Sequence, residues 1–523
     1  MDYKDQSSRE QKHCIMVVFG GTGDLTQRKL IPALYQLKYQ GLIPDNFAVV
    51  AVGRRQKTDE EYRDELLNSV RQFSRFELVE SVWNELASAI YYQRLNFLDW
   101  EGYHVLKDFL DQIDKSRHTS GNRIFYLAIA PGNYESVINN LSLNGMVKNT
   151  SSWQRVVIEK PFGTDLESAQ SLNQTIAAVF PEENTFRIDH YLGKEMVQSI
   201  LGIRFANSLF EPLWNHQYID NIQISASEII GIENRGEYYE KSGAIRDMVQ
   251  NHLLQILALV AMEAPVNLQS DSIRDEKIKF LRSVRGLSPA LEEQNIILGQ
   301  YSNGILGGAE VAGFRQELKV APDSDTETFV ALKLQSNNPR WQGPGQGGAS
   351  IPFYLRTGKR LATKSTTITV QFKSPLNVAF QNGSQDFAPL VAQPNLLVIQ
   401  IQPQEKISIR FNTKEPGVHG KICPVKMSFC QKCKICEANT NSPEAYEKLL
   451  LDVFANDSTL FTRWDEVEES WKLVENIAVG KRKTNPIFPN YAPGSWGPQE
   501  ADKLLARDHR HWWNIEKKIH DKF

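Results

Sequence analysis

Ile15-Met16-Val17-Val18-Phe19-Gly20-Gly21-Thr22-Gly23-Asp24-Leu25 is the stretch that decides the fold. Its first five residues are a short apolar run of the kind buried on both faces of a parallel sheet. The glycines that follow free the backbone for a tight turn and leave room for a diphosphate to come close. Thr26 to Leu37 then sets Leu30, Leu34 and Leu37 at helical spacing, and Pro32 is expected to kink that helix or delay its start. A helix N-terminus here would face a pyrophosphate. Strand, glycine turn and helix in this order predict a Rossmann dinucleotide-binding domain.

The pattern continues outward. Phe47 to Val52 reads as the next strand and ends in Gly53-Arg54-Arg55. In such a fold this strand end reads the adenosine ribose. An acid there favours NAD, whereas an arginine favours the 2′-phosphate of NADP, so Arg54 points to NADP. Arg123 to Ala128 and Val156 to Lys160 read as further parallel strands with helical patterns between them. Lys160-Pro161 closes the last one, at the carboxyl end where ligands bind, with a cis bond expected as an option.

Arg187-Ile188-Asp189-His190-Tyr191-Leu192-Gly193-Lys194-Glu195 crowds a carboxylate, two bases and a phenol into nine residues. If Gly193 sits within or just before a helix, His190 and Lys194 share a face. Together they would grip a small dianion such as a sugar phosphate, leaving Asp189 to orient a different partner. Composition alone reads the same segment as a solvated charged helix start.

Beyond residue 195 the runs at 221–228, 329–335, 368–372, 396–402 and 406–412 read as strands, the last two with clear alternation. A mainly antiparallel sheet is expected, hence an α+β domain after an α/β one. The boundaries expected are a disordered tail over 1–12, a nucleotide domain over 13–189 and a β+α domain over 190–523. Within the latter, Ser242 to Leu254 leads into a helix apolar almost all round, so His252 should sit at the mouth of a buried element, neutral as a general base must be. The plain alternative is a structural histidine. Asp247 lies five residues before it, about 140° away on an ideal helix, so helical spacing does not bring the two together.

The chain has 523 residues, 41% hydrophobic and 23% charged, with a net charge of −3. That balance gives no general electrostatic case for nucleic acid or an anionic membrane. The apolar stretch Leu253 to Met262 is too short to span a bilayer. Met1 to Lys12 has no apolar core and does not read as a signal peptide. Five cysteines do not make a secreted disulfide framework, so a cytoplasmic location is expected.

Four motifs occur in order: Gly20-Gly-Thr-Gly-Asp-Leu25, Glu159-Lys-Pro-Phe-Gly163, Arg187 to Glu195, and Arg246-Asp-Met-Val-Gln-Asn-His-Leu-Leu-Gln255. Together they resemble the glucose-6-phosphate 1-dehydrogenase family, from about Ile15 to the Trp496–Asp502 segment. The resemblance implies NADP-dependent oxidation of glucose 6-phosphate at C1. It matches His252 to the general base, Asp189 to the carboxylate that orients it, and His190, Tyr191 and Lys194 to the phosphate grip. It matches Lys160, Glu228, Asp247, Lys359 and Gln402 to groups that hold the sugar. Arg54, Tyr134 and Lys160 match cofactor contacts, beside Gly20, Gly21, Thr22, Gly23, Asp24 and Leu25. It also implies a homodimer or homotetramer built on the sheet of the second domain. The competing readings are a dehydrogenase of another sugar phosphate and a non-catalytic NADP-sensing or scaffold homologue.

Two departures and one addition stand out. Gln27 occupies a position that is basic in many members, with Arg28 or Arg54 as substitutes. Some members hold a second, structural NADP; here the matching Ser365, Thr369 and Gln400 are neutral, while Arg356 and Arg410 remain. Cys423, Cys430, Cys433 and Cys436 form a cluster for which the resemblance offers no role. Zinc, part of an iron–sulfur run, a redox-switched disulfide and a loop of reduced thiols are all open from the spacing.

Overall fold

The computed structural model describes residues 13–44, 46–147, 151–285, 295–345, 348–374, 393–416, 422–430, 443–484 (backbone only for 478–484) and 486–514. The tail expected over 1–12 lies outside them. The chain divides into two compact units. The first comprises Met1–Lys194, Asn267–Arg274 and Pro443–Glu468; the second comprises Glu195–Val266, Asp275–Ser442 and Glu469–Phe523.

The first unit is built on six parallel strands: β1 (Cys14–Phe19), β2 (Phe47–Gly53), β3 (Ile90–Arg94), β4 (Arg123–Leu127), β5 (Gln154–Ile158) and β6 (Thr185–Arg187). Their order is β3-β2-β1-β4-β5-β6. Strand order reverses between β1 and β4, and in such sheets ligands bind at that switch point, beyond the carboxyl ends. The apolar runs explain the layering, since every residue of β1, β2, β4 and β5 is buried. The helix after the glycine turn is not delayed. It begins at Asp24, widens into a π-helical stretch over Thr26–Leu30 and continues as α1 (Ile31–Tyr39). The widened turn comes just before Pro32, which has no N–H to give. A late segment joins this unit as α11 (Ala445–Ala455). The Arg155 guanidinium beneath it donates to the carbonyls of Val453 (2.6 Å) and Phe454 (3.1 Å), satisfying the helix C-terminus.

The second unit is a nine-stranded mixed sheet: β7 (Ile219–Ser227), β8 (Val284–Arg285), β9 (Ile296–Gly299), β12 (Phe329–Ser336), β13 (Phe353–Gly358), β14 (Ser365–Phe372), β15 (Leu396–Gln402), β16 (Lys406–Lys414) and β17 (Ile422–Cys430), the numbers β10 and β11 being kept for the hairpin Gly304–Leu306 and Ala309–Val311. The order is β17-β16-β15-β14-β7-β13-β12-β8, with β9 also on β12. All pairings are antiparallel except β7 with β13. Its core gathers Tyr301, Phe314, Phe329, Tyr354, Leu361, Tyr491 and Trp512.

Cys423 and Cys430 lie near the two ends of β17. They are seven positions apart along the strand, about 23 Å, so they cannot share one metal ion or one disulfide. A four-thiolate centre including both is thereby excluded; Cys433 and Cys436 lie outside the described residues. No described helix is long and apolar enough to cross a membrane.

Candidate active site

The glycine turn of the first unit is shaped by close backbone approach. Gly20 has φ +91°, and a Cβ there would fall 2.2 Å from the Ala128 carbonyl oxygen. A Cβ on Gly21 would fall 2.6 Å from that of Ala51. Only glycine fits both positions, and both glycine N–H groups donate to the Val52 carbonyl, at 2.9 and 3.0 Å, which ties the turn to the end of β2 beside the switch point. Two residues not singled out in the sequence hold this region. Thr26 Oγ1 donates to the Gly20 carbonyl at 3.0 Å, and the buried Tyr62 hydroxyl donates to that of Gly21 at 2.6 Å. Burial pushes the Tyr62 phenol up, so it stays a donor at neutral pH.

Arg54 and Arg55 are exposed at the end of β2. Their turn is held by the Tyr92 hydroxyl, which donates to the Arg55 carbonyl at 2.7 Å. Arg28 pairs with Asp24 at 2.8 Å and lies over the Phe73 ring, so the exposed guanidinium next to the turn and not engaged in this way is offered by Arg54 together with Arg55. The glycine cradle, the helix that starts at Asp24 and this guanidinium fit a dinucleotide with a 2′-phosphate.

At the next strand end, Lys160 lies two residues beyond β5, and its bond to Pro161 is cis. Tyr134, at the start of α5 (Tyr134–Leu143), is fully buried and donates to the Glu159 carbonyl at 3.1 Å. After β6 the chain makes the turn that carries the nine-residue motif. Asp189 is buried, and its Oδ1 accepts the Tyr191 N–H at 2.9 Å. Further turn bonds run from Leu192 N–H to the Asp189 carbonyl and from Lys194 N–H to the Tyr191 carbonyl. Gly193 thus lies just before α7 (Glu195–Phe205). The Tyr191 ring gathers both bases: Lys194 Nζ sits 3.6 Å from its centroid, and the His190 ring meets it edge-on at 4.9 Å.

In the second unit, α8 (Gly236–Ala244) breaks at Gly243, where φ is +60° and ψ −177°. The Glu327 carboxylate accepts the Ile245 N–H at 3.2 Å, capping the next helical segment. That segment, Ile245–Leu253, is a π-helix rather than an α-helix, and it runs into α9 (Leu254–Ala261). The expectation that Asp247 and His252 diverge is therefore corrected. Hydrogen bonds five residues apart stack residue 247 towards 252. Asn251 supplies the local cause: its Nδ2 donates to the Arg246 carbonyl at 3.2 Å, and its Oδ1 accepts the His252 N–H at 2.6 Å. A side chain inserted into the backbone ladder widens the turn. His252 is fully buried.

Asp247 is buried and accepts the Tyr238 hydroxyl at 3.0 Å, with Arg235 at 3.9 Å. Glu228 and Lys359 follow the adjacent parallel strands β7 and β13, so the register brings them side by side, where they form an ion pair. Gln402 ends β15 and donates to Thr366 Oγ1 at 2.9 Å, at the same end of the sheet. Tyr239 lies among these groups. Burial first, then the charges of Asp247 and Glu228, push its phenol well above the usual value. Its Lys359 neighbour sits 5.5 Å from the ring centroid. Adjacent tyrosines on a short helix gave no sequence signal for this.

Arg356 and Arg410 are taken up by the chain's own C-terminal residues. The Arg356 guanidinium lies over Trp512 (4.3 Å) and Trp496 (4.9 Å) and donates to Asn514 at 2.7 Å. Burial brings it down to about 9. Arg410 lies over Trp513 at 4.5 Å.

Comparison with known proteins gives the lineage. Residues 17–199 match the family model described as glucose-6-phosphate dehydrogenase, NAD binding domain, and residues 201–513 match that of the C-terminal domain. A glucose-6-phosphate 1-dehydrogenase of Chlamydia muridarum is 46% identical over 95% of this chain and 96% of its own. That of Bacillus subtilis is 44% identical over 97% of this chain and 100% of its own. A solved glucose-6-phosphate dehydrogenase in complex with its substrate glucose-6-phosphate superposes with TM-score 0.85 at 32% identity, covering 96% of this chain and 99% of that one. One from Mycobacterium avium gives 0.78 at 30%, covering 97% and 100%. With both family domains matched in order along almost its whole length, the chain belongs to the glucose-6-phosphate dehydrogenase family.

Proposed function

We propose that this chain oxidises glucose 6-phosphate at C1 with NADP, giving 6-phosphoglucono-1,5-lactone. The observation that carries the reading is family membership across both units, at 46% identity to a named glucose-6-phosphate 1-dehydrogenase. The residues needed for the chemistry are all present in it. His252 takes the proton from the C1 hydroxyl as that carbon becomes a carbonyl. Asp189 orients the imidazole and offsets its positive charge, which is the logic of a carboxylate–histidine pair. Lys194, His190 and Tyr191 bind the 6-phosphate. Glu228, Lys359, Asp247 and Gln402 hold the sugar hydroxyls, and Lys160 orients C1. The turn Gly20–Leu25 receives the diphosphate, Tyr134 supports the nicotinamide side, and Arg54 with Arg55 reads the 2′-phosphate. The bound cofactor supplies a nicotinamide ring that accepts the C1 hydride. A homo-oligomer working in the cytoplasm belongs to the same proposal.

His252→Asn tests it. Turnover should fall by at least ~10²-fold, the scale of losing a general base, with substrate binding retained. A folded variant with near-normal kcat would overturn the assignment of the base.

A further inference from the structure

We propose that Tyr446 and Glu159 are positioning residues for this reaction, the first turn of α11 being the platform on which both substrate segments of the first unit rest. The inference depends on reading Lys160 and Asp189 as site residues.

Three phenols from three elements converge on residue 159. Tyr126 of β4 and Tyr446 of α11 donate to its carboxylate Oε1, at 2.6 and 3.0 Å. Tyr134 of α5 donates to its backbone carbonyl at 3.1 Å. The residue so clamped immediately precedes Lys160. Burial pushes all three phenols up, so they act as donors throughout the neutral range.

The neighbouring residue of α11 touches the other segment. A Cβ on Gly193 would lie 2.9 Å from the Ala445 carbonyl oxygen and 3.0 Å from Leu449 Cδ1. The nine-residue motif thus packs directly on the turn that also holds Glu159. That turn is itself fixed from the nucleotide side. Lys29 pairs with Glu444 at 2.9 Å, and Arg75 grips the buried Glu447 through Nε and Nη2 at 3.2 and 2.7 Å. Two adjacent residues therefore set the distance between two motifs almost thirty positions apart in sequence.

The carboxylate is poised as well as clamped. Burial raises Glu159 above the usual carboxylate range. The hydrogen bonds from Tyr126 and Tyr446, and the charge of Lys160, pull it back, while Asp189 pushes it up. A part-buried acid among such neighbours is a weak device for stability, since apolar packing of the same volume often serves as well or better. Its negative charge beside Lys160 gives it a use in the reaction.

Tyr446→Phe deletes one hydroxyl and keeps the ring. We expect kcat/KM for glucose 6-phosphate to fall about tenfold, the scale of one hydrogen bond to a charged acceptor. NADP affinity, read by fluorescence titration, and the melting temperature should stay as in the parent. The acid limb of the kcat/KM profile should move to higher pH, because the lost donor favoured the ionised carboxylate. In a Glu159→Gln background, Tyr446→Phe should add little, since the charged acceptor is already gone. Lys160→Ala is the control. If it turns over like the parent, the site reading fails and takes this inference with it. If it is inactive while Tyr446→Phe keeps parental kcat/KM and an unmoved limb, this inference alone fails. Equal losses of NADP affinity, melting temperature and kcat/KM in Tyr446→Phe would make the contact structural and overturn it.

Discussion

Replacing Asn251 by leucine removes the amide that bonds into the helix carrying His252 while keeping the branched outline of the side chain. The buried His252 N–H then loses the Asn251 Oδ1 it donates to, and the part-buried Arg246 carbonyl loses the Asn251 Nδ2 donor. Only the first would carry the full penalty of about 1–3 kcal/mol if left unsatisfied in a rigid helix. The chain has a cheaper response. Tightening the segment from π to α hydrogen bonding satisfies both groups again and rotates His252 relative to Asp247. Stability should then fall by no more than about 3 kcal/mol. Activity should fall much further, because moving a catalytic group by about 1 Å costs on the order of 10²-fold. The assay pairs initial rates at saturating glucose 6-phosphate and NADP with urea unfolding. The expected pattern is a folded enzyme, a kcat lower by about 10²-fold and a smaller change in KM. A folded variant with parental kcat would refute the argument that the π-helical turn places the base.

Further outcomes follow from other groups. Lys194→Ala should mainly raise KM for glucose 6-phosphate, because a remote phosphate contact acts through binding, and an unchanged KM would place the grip elsewhere. Arg54→Ala should weaken NADP and leave NAD nearly unchanged in coenzyme titrations; equal losses would contradict a 2′-phosphate role. Acid should loosen the C-terminal segment. Burial pushes Asp220 and Asp508 up, but hydrogen bonds from Arg510 and Asn221 to the first, and from Lys333 and Tyr354 to the second, outweigh it and hold both below 3.8. Their stabilisation is complete above that unfolded value and is lost as pH falls through the lower folded values. Tryptophan fluorescence from Trp512 and Trp513 should report release in that window, and Asp220→Asn should show it already at neutral pH.

The parts of this architecture that were legible in the sequence are those set by local chemistry. Ile15 to Phe19 reads as a buried strand and is one, and the glycines after it mark a turn that admits no Cβ. The runs at 329–335 and 396–402 alternate or stay apolar over strand lengths and became β12 and β15. What was hidden depends on partners far along the chain or on a departure from ideal geometry. Nothing near Phe353–Gly358 announces its parallel pairing with β7, which brings Lys359 beside Glu228. The bond from Tyr446 to Glu159 spans 287 positions. The spacing of Asp247 and His252 misled because it was judged on an α-helix, whereas Asn251 turns the segment into a π-helix. The cysteine spacing left several readings open, and a nine-residue strand that holds Cys423 and Cys430 apart removes those that need both thiols in one centre.

The central claim is that this chain oxidises glucose 6-phosphate at the expense of NADP. Following reduced nicotinamide by absorbance, with glucose 6-phosphate or free glucose and with NADP or NAD, tests it most directly. The account predicts rapid reduction with glucose 6-phosphate and NADP, a much lower kcat/KM for free glucose, and a preference for NADP over NAD. No reduction with glucose 6-phosphate under either coenzyme, or equal efficiency with free glucose, would contradict it.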